Sequence, residues 1–334
     1  MTKKPLLIIA EIGVNHNGDI KLAKKLIDKA KDCGADFVKF QIYETTNMVT
    51  KNAPKAKYQI NKKNSKETHY EMLKKYEVNS NFLKKISDYS KKKKINFLAS
   101  VFDLNSLNIL KKINPKYIKI PSGEITNLPL LEKIGKLNLK VIMSSGMSNM
   151  KELDNALKVL IKSGTFKKNI IILHCTTSYP TKFDDVNLNA MLKIKKKLNI
   201  EIGYSDHTKG IEVAIAAISL GAKVIEKHFT LNKRLNGPDH LSSLNPLEFK
   251  AMVKSIRNVE NAFGLSLKKP TKIETQNSLI VRKSIFALKN IKKGEKFSLE
   301  NICIKRPGVG KSPMMWYKLI GKKSKKNYKA DELI

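Results

Sequence analysis

The sequence predicts an α/β fold, a (β/α)8 TIM barrel followed by a small, mainly β module. Three observations carry that prediction. Eight short apolar runs rich in β-branched residues recur before residue 264, and an amphipathic stretch follows each. Strand–helix alternation over roughly 260 residues is the pattern of parallel strands closed into a barrel and wrapped by helices. No strand-like run opens into a G-x-G-x-x-G turn, which disfavours a doubly wound dinucleotide-binding sheet.

The strand-like runs are 6–12, 37–42, 95–101, 117–121, 140–144, 170–175, 200–204 and 223–228. Helix-like segments alternate with them at 20–33, 81–93, 104–113, 128–137, 150–163, 187–198 and 211–220, and 246–263 closes the series. In the first of these, Ile20, Leu22, Ala23, Leu26, Ile27 and Ala30 recur at the helical period. Segment 265–276 reads as a polar linker, and runs 279–286 and 302–304 flank a Lys/Gly turn at 292–295. The expected domains are therefore a barrel at 1–264, a linker at 265–277 and a β module at 278–334. At about 55 residues the module is near the lower limit for folding alone, so it is expected to pack on a barrel.

Sixty-five Lys and Arg against 29 Asp and Glu give a net charge of +36, which raises a nucleic-acid reading. Only four of the cations are Arg: Arg234, Arg257, Arg282 and Arg306. Base-reading and bidentate phosphate surfaces favour Arg, and no aromatic residues interleave with the lysines for stacking. The lysines read as solvated helix faces, leaving a basic polyanion-binding protein as the non-enzyme alternative. Cys33, Cys175 and Cys303 are too scattered for a disulfide framework or a cysteine metal site. No apolar run approaches the roughly 20 residues that span a bilayer, and the start of the chain lacks a secretory core. A cytoplasmic protein with no nucleic-acid or membrane partner is expected.

Barrel active sites lie where strands end and the following loops begin. Here those positions hold Glu11, Lys39, Gln41, Lys119, Ser122, Glu124, Ser144, His174, Ser205, Asp206, His207, Glu226 and His228. Five of the six histidines (16, 174, 207, 228 and 240) fall at strand ends or in the loops after them. His207 and His228 end neighbouring strands, so their imidazoles can converge on one divalent ion. Lys39 and Lys119 lie between apolar neighbours, and an anion in the barrel lumen accounts for them. Glu226 and Asp206 read equally as orienting groups or helix caps. The pattern implies an anion-binding, metal-assisted site.

Several of these stretches form a specific set. Glu11-Ile-Gly-Val-Asn-His-Asn-Gly18, Lys39-Phe-Gln41, Lys119-Ile-Pro-Ser-Gly-Glu124 and Ser144-Ser-Gly-Met147 resemble the motifs of the sialic acid (nonulosonate) synthase family. So do His174-Cys-Thr-Thr-Ser-Tyr-Pro180, Gly203-Tyr-Ser-Asp-His-Thr208, Glu226-Lys-His-Phe-Thr230 and Gly237-Pro-Asp239. Lys305-Arg-Pro-Gly308 resembles part of the antifreeze-like (SAF) domain that these enzymes carry. The resemblance implies condensation of phosphoenolpyruvate with an N-acetylated mannosamine-type sugar, giving a nine-carbon α-keto acid and phosphate. It implies Mn2+ or Mg2+ on His207 and His228, and phosphoenolpyruvate on Lys39, Lys119, Ser122, Ser144 and Ser205. It places Glu11, Gln41, Glu124, Tyr179 and Asp239 around the sugar and the reacting centre. Glu11 and Glu124 are both candidates for handling the proton of the attacking water. It also implies a homodimer with exchanged C-terminal domains, Arg306 reaching the site of the partner.

Two features bear on the sugar. Thr177 stands where N-acetylneuraminate synthases have Asn, and segments 122–129 and 203–211 look closer to legionaminate synthases. A hydroxyl and methyl in place of an amide suit a 6-deoxy, 4-acetamido sugar. N,N'-diacetyllegionaminate is thus the expected product, made from 2,4-diacetamido-2,4,6-trideoxymannose. N-acetylneuraminate from N-acetylmannosamine is the alternative.

Overall fold

A computed structural model describes residues 6–56, 59, 67–264 and 266–334. The start of the chain and Leu265, where the linker is expected to begin, lie outside the described residues. The chain divides into two compact units, one ending at Phe263 and the other starting at Gly264.

In the first unit, strands β1 (Leu7–Gly13), β2 (Phe37–Ile42), β3 (Asn96–Val101) and β4 (Tyr117–Ile120) run in chain order around a closed barrel. β5 (Lys140–Ser144), β6 (Ile170–His174), β7 (Glu201–Asp206) and β8 (Val224–His228) continue it. All pairings are parallel, and β8 returns to β1 with Glu11 opposite His228. The helices that cover the strands include α1 (Ile20–Asp32), which buries Ala23, Leu26, Ile27 and Ala30 against the barrel.

Side chains alternate between the two faces of a strand. The lumen-facing pairs therefore read Ile9/Glu11, Phe37/Lys39, Leu98/Ser100, Tyr117/Lys119, Ile142/Ser144 and Val224/Glu226. The first member of each pair joins an apolar plug that includes Ile9, Phe37, Leu98, Ile142, Leu173 and Val224. The second member lies two residues nearer the C-terminal mouth and is polar. In this way the strand period stacks a charged layer on an apolar floor.

A long excursion after β2 was not expected from the sequence. It carries α2 (Thr45–Met48) and α3 (His69–Tyr76), the latter started by a reciprocal Thr68/Glu71 cap. The covering helix α4 (Ser80–Lys92) follows, then α5 (Leu104–Lys111) and α6 (Leu128–Gly135). α7 (Met150–Lys162), α8 (Asn189–Leu198), α9 (Glu212–Ser219) and α10 (Pro246–Ala262) complete the unit.

The second unit departs from expectation at its start. A helix, α11 (Lys272–Val281), occupies the place of the linker's end and the first expected strand residues. Thr271 and Glu274 cap it reciprocally, and none of its residues is buried, so it shows no amphipathic stripe to read. β9 (Ser284–Ala287) and β10 (Ile302–Lys305) pair antiparallel over a core of Ile285, Ala287, Ile291, Phe297, Ile302, Leu319 and Ile334. Among the described residues no helix is long and apolar enough to cross a membrane.

Candidate active site

The polar layer opens into a cavity of about 230 Å³ at the C-terminal mouth of the barrel. Glu11, Lys39, Gln41, Lys119, Ser122, Ser144, Thr177, Tyr179, Ser205, His207, His228 and Asp239 all line it. The strand ends thus bring together most of the residues expected from the sequence.

Lys39 and Lys119 are 3% and 2% exposed, so their charges depend on partners inside the barrel. Lys39 Nζ lies 3.2 Å from Glu11 Oε2 and 3.2 Å from Glu226 Oε2, and donates to Ser100 Oγ at 3.1 Å. Lys119 Nζ donates to Ser144 Oγ at 2.6 Å and stands 3.6 Å from Glu226 Oε1. Ser205 Oγ donates to that same oxygen at 2.9 Å.

The carboxylates differ in character. Burial would raise the pKa of Glu226, but Lys119 and Lys39 hold it well below the usual carboxylate range. Burial lifts Glu11 to about 7 against the pull of Lys39. Burial alone would depress Lys39, yet Glu11 and Glu226 carry it above the ordinary lysine value. For Lys119 burial outweighs the attraction of Glu226, and its pKa falls. One carboxylate is firmly ionised and the other titrates near neutrality, so two lysines leave a positive excess suited to an anion.

The ring centroids of His207 and His228 lie 5.6 Å apart. His207 Nδ1 is 2.6 Å from the carbonyl of Thr176. A carbonyl only accepts, so that nitrogen carries the proton and Nε2 keeps its lone pair, 3.3 Å from Ser205 Oγ. His228 Nδ1 is buried without a hydrogen-bond partner, and Asp239 Oδ2 is 3.9 Å away. Burial pushes His207 to about 4 and His228 well below its ordinary value, which leaves both rings neutral. Two neutral imidazoles, one oriented by a backbone carbonyl, fit a divalent cation. Among the described residues no three His, Cys, Asp or Glu side chains come together to hold a metal. An ion on this pair would therefore complete its shell with substrate or solvent.

Beside the histidine pair, Tyr179 packs its ring 4.2 Å from His207. Gln41 Nε2 donates weakly to Glu11 Oε1 at 3.4 Å. Burial raises Asp239 to about 6. Gly146 leaves room for this wall: a Cβ there would stand 2.6 Å from Thr177 Cγ2 and 2.8 Å from Ser122 Oγ. Ser122 Oγ in turn accepts from the Gly146 amide at 3.0 Å.

One residue expected at the barrel mouth is not in this cavity. Glu124 is not among its lining residues; its carboxylate accepts from Asn127 Nδ2 at 2.6 Å, where Asn127 caps α6. Arg306 belongs to the second unit, just past β10. Three of the five strand-end histidines also turn elsewhere. His174 Nε2 meets the Val186 carbonyl at 2.8 Å, His240 Nδ1 meets Thr230 Oγ1 at 2.7 Å, and His16 Nδ1 accepts from Gly18 at 3.0 Å.

Other lining residues have a part that the sequence does not single out. Glu226, which the sequence offers equally as an orienting group or a helix cap, ties both lysines together. Ser100 shows only as the lumen-facing member of β3. His69, Met72 and Tyr76 come from α3, which has no counterpart in the strand–helix alternation.

Comparison with known proteins gives consistent matches. The model of the NeuB family matches residues 26–268, and that of the SAF domain matches residues 282–334. The chain is 51% identical over 331 residues to the N,N'-diacetyllegionaminic acid synthase of Campylobacter jejuni, covering 99% of both chains. It is 41% identical to the enzyme of that name from Legionella pneumophila, covering 97% of this chain and 91% of that one. Among solved structures, the N-acetylneuraminic acid synthetase of Leptospira borgpetersenii in complex with citrate superposes with a TM-score of 0.71 at 34% identity. That match covers 82% of this chain and 90% of the other.

Proposed function

The chain belongs to the NeuB family and is a synthase of nonulosonic acids, and we propose that it condenses phosphoenolpyruvate with 2,4-diacetamido-2,4,6-trideoxymannose to give N,N'-diacetyllegionaminate and phosphate. The observation that carries this reading is the pair of buried lysines, Lys39 and Lys119, beside two neutral imidazoles in one barrel mouth. Such a site suits a small polyanion held next to a polarised carbonyl.

In this mechanism Lys39, Lys119, Ser122, Ser144 and Ser205 hold the carboxylate and phosphate of phosphoenolpyruvate. Its methylene carbon attacks the aldehyde carbon of the open-chain sugar; the carbonyl π pair moves onto the aldehyde oxygen, which takes up a proton to become a hydroxyl, and the new carbon–carbon bond leaves positive charge on the enol carbon. Glu226, kept ionised, faces that charge. Water adds there, and the tetrahedral product expels phosphate by carbon–oxygen cleavage. Glu11 takes the water's proton; its place in the cavity and its pKa of about 7 support it over Glu124. His207 and His228 would hold a divalent cation, Mn2+ or Mg2+, which supplies Lewis-acid polarisation of the aldehyde. Gln41, Tyr179 and Asp239 orient the sugar.

Thr177 sets the sugar preference in this reading. Its methyl group over Gly146 offers an apolar wall where an amide would want hydrogen bonds. We assign Arg306 to the site of a second copy of the chain, in a homodimer. The reaction runs in the cytosol, a setting that suits three free cysteines.

The test is mass spectrometry of products from phosphoenolpyruvate, Mn2+ and a panel of acetamido sugars. A product from the diacetamido sugar, with higher kcat/KM than N-acetylmannosamine, is expected. The opposite order would make this an N-acetylneuraminate synthase.

A further inference from the structure

We propose that the buried Asp206–Lys227 ion pair, on the helix side of the β7–β8 seam, is a positioning device that fixes the spacing of the His207 and His228 imidazoles. The inference rests on the reading of those two histidines as a metal site.

Asp206 and Lys227 are register partners across the seam, and they are 0% and 1% exposed. The strand alternation points them away from the lumen, while the residues beside them point in. Neither lines the active-site cavity. Lys227 Nζ donates to Asp206 Oδ2 at 2.7 Å and to the Thr208 carbonyl at 2.7 Å. Asp206 Oδ1 accepts from the Thr208 amide at 2.9 Å and from its hydroxyl at 2.7 Å. The residues on both sides of His207 are thereby tied to the residue immediately before His228.

Burying two charges is costly, and well-packed apolar side chains of similar volume often serve stability as well or better. What apolar contacts lack is direction. Hydrogen bonds at these lengths fix the offset between neighbouring strand ends, and the imidazoles project from those ends. The pair is absent from the chemistry described above, yet it closes a ring around one of the two histidines.

The experiment compares the unaltered chain with Lys227→Met, Thr208→Val and the charge-neutral double variant Asp206→Leu/Lys227→Met. Three quantities are read: Mn2+ dissociation constant by electron paramagnetic resonance, phosphoenolpyruvate affinity without metal, and thermal midpoint. Removing groups that orient metal ligands weakens metal binding about 10- to 100-fold, and that loss is expected in the double variant. Its thermal midpoint and phosphoenolpyruvate affinity should stay near those of the unaltered chain. The double variant keeps the test open if Lys227→Met leaves Asp206 unpaired and fails to fold. Unchanged Mn2+ affinity in a folded double variant overturns the inference. Joint loss of both affinities with a lower midpoint also overturns it, since that describes general collapse of the seam. No Mn2+ binding by the unaltered chain would overturn the metal reading itself, and this inference with it.

Discussion

Lys39 stands between two carboxylates of unequal behaviour, and the asymmetry has measurable consequences. Replacing Lys39 or Lys119 with Met keeps the apolar stem and removes the charge. Because a charged hydrogen bond is worth about 1.5–3 kcal/mol, KM for phosphoenolpyruvate should rise at least tenfold in steady-state assays. An unchanged KM in both variants would remove them from the anion site. Glu11 titrates near 7 because burial raises it, so it is protonated below that pH and ionised above. A base must be ionised, hence kcat/KM should climb between pH 6 and 8 with its midpoint near 7. Glu11→Gln should remove that limb along with most of the turnover. The lysines were legible because a cation between apolar neighbours in a strand has few places to go. The place of Glu124 in the motif says nothing about its bond to the Asn127 cap, which only the structure shows.

The strands are the part of the fold most plainly written in the sequence. Each is buried by helices outside and plug residues inside, so most centre on an apolar run with polar residues gathered towards the ends. The tightest glycine fit among them is Gly203 in β7. A Cβ there would meet Leu173 Cδ2 at 2.5 Å and the Val224 carbonyl at 2.6 Å, both fixed barrel elements. Gly203→Ala should therefore cost about 1–3 kcal/mol by overpacking, read as a lower urea midpoint. A midpoint equal to that of the parent would mean that the β6–β7–β8 wall yields freely. The helices α3 and α11 escaped the reading for a different reason. α3 sits in an excursion that the strand–helix alternation does not require, and its eight residues give only a short stripe at Met72, Leu73 and Tyr76, while α11 buries no face. Only their Thr and Glu caps announce them.

At the scale of the whole molecule the charge of +36 acts on encounter rather than on fold. Phosphoenolpyruvate approaches a protein whose field is positive and whose cavity concentrates that sign. Its kcat/KM should fall severalfold as salt shortens the screening length from about 30 Å at 0.01 M to about 3 Å at 1 M. A salt-independent value, measured with the metal saturating, would confine the useful charge to the cavity. Nucleic acid held on a filter at moderate salt would revive the polyanion reading, which loss of binding there rejects. The closed barrel carries one more consequence, for the order of events in folding. Glu11 on the first strand and His228 on the last are register partners, so the proposed proton acceptor and the proposed metal site meet only at the closing seam. Contacts so distant along the chain form late, after the loop between them has been closed. Catalytic competence should therefore arrive in one step with the docking of β1 on β8, and a nascent chain remains inert until its final barrel strand has emerged.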